Sequence, residues 1–213
     1  MLIKYKIISD FFAVVIVSTS LFFSCNSSST KEKGSSEIKI ESGSHNAYFP
    51  VSNVNKWQYI NEAPREESVI YDVNVESIRT ENKNLIAELS TFPFFTNIQE
   101  KTKLTLKENG QIYTINKEGK EELFLESAEN LKQSDKWKYG EWDANVGSTK
   151  EEVITEKGTF KDCIYISYSQ YYTFAAELWL AKDVGIVKWG FNRTNPPTLK
   201  PLYYVLNNLT LEK

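Results

Sequence analysis

From Tyr48 onward, apolar and polar residues alternate in short runs separated by Gly, Asn and Asp. A period of two with turn residues between the runs predicts half-buried β-strands joined by tight connections. Val69, Tyr71, Val73 and Val75 alternate with Asp72, Asn74 and Glu76. Leu85, Ala87 and Leu89 alternate with Glu88 and Ser90 after an Asn82-Lys83-Asn84 turn signal. In Lys101–Glu118, KTKLTLKENGQIYTINKE, the Asn109-Gly110 pair is a strong hairpin signal, because a type I′ turn needs positive φ at both central residues. A two-residue turn there predicts that Leu106 faces Tyr113 and Leu104 faces Ile115, with only Ile112 on the wrong face. Further strands are expected near 151–156, 159–169, 176–181, 186–191 and 202–211. The predicted fold is mainly β: a curved antiparallel meander of about ten strands, forming an open half-barrel or a sandwich. Helix is scarce; Ser127–Asp135 is the best candidate, as a Ser-capped turn or two.

The later strands differ from the early ones. Around Cys163–Tyr172, Leu178–Leu180 and Ile186–Phe191 both alternating faces carry apolar or aromatic groups. Such strands are expected to be covered on both sides, by a second sheet, a helix or a ligand. There is also an internal echo. The segment from Val51 through Lys56-Trp57-Gln58-Tyr59 matches the one from Leu131 through Lys136-Trp137-Lys138-Tyr139, 80 positions later. It suggests a duplicated half-sheet, with each Trp pinning the start of a strand.

The first 46 residues break the pattern. Lys4 and Lys6 precede a 13-residue stretch, Phe11 to Phe23, that is apolar apart from Ser18, Thr19 and Ser20. Spanning a bilayer takes about 20 apolar residues, so the stretch reads as a signal peptide. It ends Leu21-Phe22-Phe23-Ser24-Cys25. That ending resembles a bacterial lipobox, which implies cleavage after residue 24 and acylation (a palmitate-type anchor) of Cys25. Each buried methylene contributes about 0.8 kcal/mol, so several acyl chains hold a protein on a membrane. Residues 25–46 then read as the lipidated Cys and a Ser-, Lys- and Glu-rich tether, and 47–213 as one β-rich domain.

Composition narrows the chemistry. The chain has 213 residues, 25 basic and 28 acidic, with 2 Cys and 1 His. Balanced charge excludes a polycation built to grip nucleic acid. One His, in the tether, excludes a His-cluster metal site and leaves no nucleophile–His pair in the body. No phosphate loop, G-x-S-x-G elbow or H-E-x-x-H is present. The acidic doublets Glu66-Glu67, Glu121-Glu122 and Glu151-Glu152 read as solvated strand edges, since neighbours on a strand point to opposite faces. No cofactor is expected, and the chain does not read as an enzyme. With Cys25 acylated, Cys163 is the one remaining thiol and reads as a small buried hydrophobe.

Four motifs in order carry a family resemblance: Tyr48-Phe49-Pro50, Lys56-Trp57-Gln58-Tyr59, Gly158-Thr159-Phe160-Lys161-Asp162-Cys163, and Asp183-Val184-Gly185-Ile186-Val187-Lys188. The order resembles a group of β-rich bacterial envelope lipoproteins of unknown function, over about Tyr48 to Leu211. The chain departs from the pattern at Asn55 and Asp183, where Gly is usual. More distantly it resembles half-barrel lipoprotein localisation factors, which implies a curved sheet able to cradle acyl chains.

The remaining lead is aromatic. Tyr165, Tyr168, Tyr171, Tyr172, Phe174 and Trp179 crowd one region, followed by Trp189, Phe191, Tyr203 and Tyr204. Tyr168, Tyr172, Trp179, Trp189 and Tyr203 are the candidate ligand-lining residues, set against the plainer reading that they fill a core. The expectation is a membrane-anchored envelope lipoprotein of the outer membrane, with a non-catalytic binding or scaffolding domain. The alternatives are a carrier of lipid or acyl chains and a sugar-binding surface lipoprotein.

Overall fold

The computed structural model describes residues 46–62, 68–92, 101–170, 174–193 and 201–211. Among the described residues twelve antiparallel strands form one meander: β1 (Lys56–Asn61), β2 (Ile70–Glu81), β3 (Asn84–Leu89), β4 (Thr102–Leu106), β5 (Ile112–Ile115), β6 (Glu121–Leu125), β7 (Lys136–Tyr139), β8 (Trp142–Thr155), β9 (Gly158–Gln170), β10 (Phe174–Ala181), β11 (Gly185–Arg193) and β12 (Leu202–Thr210). Each strand pairs with its chain neighbours except that β6 does not pair with β7, and β12 returns to pair with β1, so the sheet is closed there. β6 and β7 are the two edges. They approach one another without sharing a ladder, which leaves a nearly closed barrel with one open seam.

The expected class is therefore observed, with two strands more than the alternation predicts. β6 begins with two glutamates and β7 has only four residues, so neither shows a clear period of two. β8 starts at Trp142 rather than near Glu151, because three register shifts against β9 interrupt its alternation. The expected helix is a single 3-10 turn, Ala128–Asn130. Ser127 precedes it but makes no capping hydrogen bond; its hydroxyl accepts instead from the Asn130 side chain.

The Asn109-Gly110 hairpin also differs from expectation. Leu106 faces Ile112 and Leu104 faces Thr114, one residue away from the predicted register. The Gly110 N–H donates to the Lys107 carbonyl, the Lys107 N–H donates to the Gln111 carbonyl, and Gly110 has φ +84°. This is the three-residue loop with a left-handed glycine, not the two-residue type I′ turn. The slip puts Ile112 in the core and removes the misfit. Two contacts favour the longer loop: the Asn46 side chain donates to the Gly110 carbonyl, and Ser127 Oγ sits 2.9 Å from where a Cβ on Gly110 would stand.

The echo marks real boundaries. Lys56-Trp57 opens β1 and Lys136-Trp137 opens β7, so each copy begins a run of six strands. Both indoles are buried and both donate to a carbonyl: Trp57 to Val184 at 2.8 Å, Trp137 to Phe124 at 3.1 Å. The two seams between the halves differ. At one, β1 and β12 pair directly from Lys56↔Thr210 to Asn61↔Tyr204. At the other, the Phe124 carbonyl of β6 accepts from Trp137 and from the Tyr168 hydroxyl at 2.8 Å, so side chains do there what a ladder does at the first.

The Tyr48-Phe49-Pro50 motif lies across the end of the sheet where β1 begins. Phe49 is buried against Trp57 and Phe92, and the Asp183 N–H donates to the Ala47 carbonyl. The two departures from the family pattern cost little. Asn55 is buried, accepts from Ser52 Oγ at 2.7 Å and donates to the Pro50 carbonyl at 3.2 Å. Asp183 takes φ +60°, a conformation Asp tolerates better than most residues.

Candidate functional site

The open seam ends in a groove of about 750 Å³. One wall comes from β5, the turn after it and the start of β6, with Thr114, Asn116 and Glu122. The other comes from the β7–β8 turn and the end of β9, with Tyr139, Glu141, Trp142 and Gln170. The groove lies along the seam where β6 and β7 share no ladder, beyond the Trp137–Phe124 hydrogen bond. Its volume falls within the range of small-ligand sites, roughly 300–1,000 Å³.

Local chemistry fixes each wall. Asn116 accepts the Glu118 and Lys120 backbone N–H groups through Oδ1, which holds the β5–β6 turn, and donates Nδ2 to Glu122 Oε1 at 2.9 Å. On the opposite wall Gln170 Nε2 donates to Glu141 Oε2 at 3.0 Å. Tyr139 forms the floor: its hydroxyl is 3.0 Å from Thr114 Oγ1 and its ring meets Phe124 and Tyr168 edge-on. Burial pushes the Tyr139 hydroxyl pKa up; the Thr114 hydrogen bond opposes this and the Glu122 charge adds to it. Gly140 has φ +54°, and a Cβ there would stand 3.3 Å from Glu122 Oε2. A bare position in that turn lets the carboxylate reach across the seam. Lys101, Lys103 and Lys117 line the groove together with Glu88, Glu122 and Glu141, so the formal charge of its lining is balanced.

The candidate aromatics fall elsewhere. Tyr168 and Trp189 are fully buried in the core. Tyr168 stacks on Phe124, and Trp189 stacks on Tyr204 with centroids 4.3 Å apart. Trp189 Nε1 has no hydrogen-bond partner among the described residues. Trp179 and Tyr203 lie on the opposite face of the sheet, on the neighbouring strands β10 and β12, half-buried. Cys25 and Tyr172 lie outside the described residues. Tyr168, Trp179, Trp189 and Tyr203 are thus divided between two faces, and none of the four lines the groove.

The second face explains why β9–β12 look doubly apolar. Ile70, Ile60, Val205, Lys188, Trp179 and Tyr165 form one cross-strand row from β2 to β9. Beside that row Glu177 is buried and accepts from Tyr165 at 2.8 Å and from Tyr203 at 2.5 Å. Trp179 stacks on Tyr165 and meets Tyr203 edge-on. Lys188 lies over both Trp179 and Tyr203 and pairs with Glu62 at 2.9 Å. Tyr165 and Tyr203 each lie across a glycine of the neighbouring strand, Gly147 and Gly190. The cover expected from a second sheet, a helix or a ligand is supplied here by long side chains packing on one another. The Glu177 carboxylate, both tyrosine hydroxyls and the Lys188 ammonium are partnered within the cluster, so it reads as structure.

Sequence reasoning missed the groove residues because they sit at strand ends and in the turns beside them, where a period of two carries little signal. Glu122 belongs to a doublet read as a strand edge; Glu121 does pair outward with Lys107, while Glu122 faces the seam. The signal that existed is Tyr139-Gly140-Glu141-Trp142, two aromatics around a Gly turn directly after the echoed Lys-Trp-Lys-Tyr. Among the described residues no group of three or more His, Cys, Asp or Glu could hold a metal ion, and no helix is long and apolar enough to cross a membrane.

No protein-family model and no curated protein matches the sequence. Solved structures share the fold. A Bacteroides fragilis protein described as exported, with a YmcC-like fold, superposes with a TM-score of 0.52 at 11% identity, covering 76% of this chain and 98% of its own. A protein described as a lipoprotein from Parabacteroides distasonis superposes with a TM-score of 0.51 at 14% identity, covering 78% of this chain and 99% of its own. A LolA superfamily protein from Nitrosomonas europaea covers 79% of this chain at 9% identity with a TM-score of 0.24, a value that carries no argument. At these identities the first two establish a shared fold.

Proposed function

We propose that this chain is a bacterial envelope lipoprotein that binds a ligand, without catalysis, in the groove over the β6–β7 seam. Residues 1–24 are the leader, acylated Cys25 is the anchor to the outer membrane, 25–46 are the tether, and 47–213 form the binding domain. The observation that carries the reading is the groove: a cleft of ligand size, walled by hydrogen-bonded polar side chains where, among the described residues, the sheet fails to close. The lipobox-like ending at Cys25 and the descriptions of the two fold neighbours, one exported and one a lipoprotein, support the envelope location.

The acyl-carrier alternative draws on the doubly apolar strands. Their inner face is filled by fully buried Tyr59, Tyr168, Leu178 and Trp189, and their other face by the Glu177 cluster. That packing supports a surface groove over an internal lipid cavity. Native mass spectrometry of the full chain, purified in a removable detergent, separates the readings. The expected result is a covalent acyl mass on Cys25 and no other lipid. Non-covalent phospholipid lost only on unfolding would overturn this reading in favour of the carrier, and an unmodified Cys25 would remove the anchor.

A further inference from the structure

Resting on the groove as the binding site, we infer that its ligand is a saccharide, held against Trp142 between two amide–carboxylate pairs. The two walls carry the same device. Asn116 donates to Glu122 on one side, and Gln170 donates to Glu141 on the other. Each pair uses one amide N–H and one carboxylate oxygen. The second N–H and the second oxygen of each have no partner among the described residues. A free donor beside a free acceptor on a fixed planar pair matches a sugar hydroxyl, which both donates and accepts. Two such pairs on facing walls match a ring or short chain bearing hydroxyls on opposite edges.

Trp142 supplies the apolar half of the match. It pairs with Tyr139 across the Gly140–Glu141 turn and is only partly buried. The electron-rich face of an indole takes the C–H face of a sugar ring, leaving the hydroxyls to the side chains around it. Other ligand classes fit less well. An acyl chain would have to desolvate the three Lys and three Glu around the groove. Their balance gives no field to draw a simple anion or cation. A peptide strand adding to the β6 edge would meet Trp137 and Tyr168 already bonded to the Phe124 carbonyl, which leaves little ladder to extend.

The test uses the full chain in detergent on an array of neutral, amino-sugar and uronic-acid oligosaccharides, with a library of unstructured decapeptides in parallel. Wild type is expected to retain at least one oligosaccharide class. Trp142→Ala is expected to weaken that binding about tenfold or more, as for an aromatic anchor in a site. Gln170→Ala, a change at a strand end that leaves the core intact, is expected to weaken it severalfold with an unchanged melting temperature. Oligosaccharide binding unchanged in both variants overturns the inference. Peptide binding lost in Trp142→Ala, with no oligosaccharide retained, overturns the saccharide class while leaving the groove as the site. Retention of neither probe overturns both.

Discussion

Glu177 offers the sharpest energetic test of the β9–β12 face. Its carboxylate is 8% exposed and accepts from two tyrosine hydroxyls, Tyr165 at 2.8 Å and Tyr203 at 2.5 Å. A hydrogen bond to a charged group contributes about 1.5–3 kcal/mol, against about 1 kcal/mol for a neutral pair. Both tyrosines are half-buried, so the lower end applies, and Tyr165→Phe and Tyr203→Phe should each cost about 1.5 kcal/mol. Each single variant leaves the carboxylate one hydroxyl. The double variant leaves it neither, in a site with little access to water, so the double loss should exceed the sum of the singles by about 1 kcal/mol. Urea unfolding followed by tryptophan fluorescence reads all four corners of the cycle, with Trp179 reporting directly from the stack. Additivity within about 0.5 kcal/mol, with each single loss below that value, would refute the reasoning. It would mean that water replaces each hydroxyl and that the cluster is a solvated surface pair.

Three further outcomes follow from packing and burial. Gly190→Ala should destabilise the protein by about 3 kcal/mol or more, since a Cβ there collides with the Leu202 carbonyl and with Tyr203, and backbone cannot swing aside; a melting temperature within a degree of wild type would contradict this. Tyr59 and Tyr168 have hydroxyl pKa values raised well above 10 by burial, so the unfolded chain ionises first. Their contribution is whole below about pH 10 and is lost above it at about 1.4 kcal/mol per pH unit for each, and tyrosinate absorbance should rise together with loss of fold rather than before it. Cys163 is fully buried and its thiol is pushed up to about 11 by burial, with Asp162 adding to the shift. A thiol reagent at pH 8 should modify it only on denaturation, and prompt labelling of the native protein would show an open path to it.

Much of the fold was legible because alternation is a direct image of a one-sided sheet. Val73, Val75, Leu85, Ala87 and Leu89 are all buried on one face, as their spacing requires. The echo placed the first strand of each half because a Trp that donates its N–H to a backbone carbonyl recurs where a new half begins. Local signals failed where distant contacts decide. Asn109-Gly110 suits two kinds of turn, and Asn46, far off in sequence, selects between them. Tyr168 and Tyr203 looked alike in sequence, yet Tyr168 stands opposite Ala176 on the core face while Tyr203 stands opposite Gly190 on the other face, which sends one to the core and the other to Glu177. The groove was the least legible part. It arises where two edges fail to meet, and no run of residues records that failure.

The most direct measurement is hydrogen–deuterium exchange on the full chain with and without an envelope extract. The account predicts slowed exchange in 113–123 and 138–143, the two walls of the groove, with the core strands unchanged. Protection confined to the Trp179–Tyr203 face, or exchange that the extract leaves unaltered throughout, would contradict it.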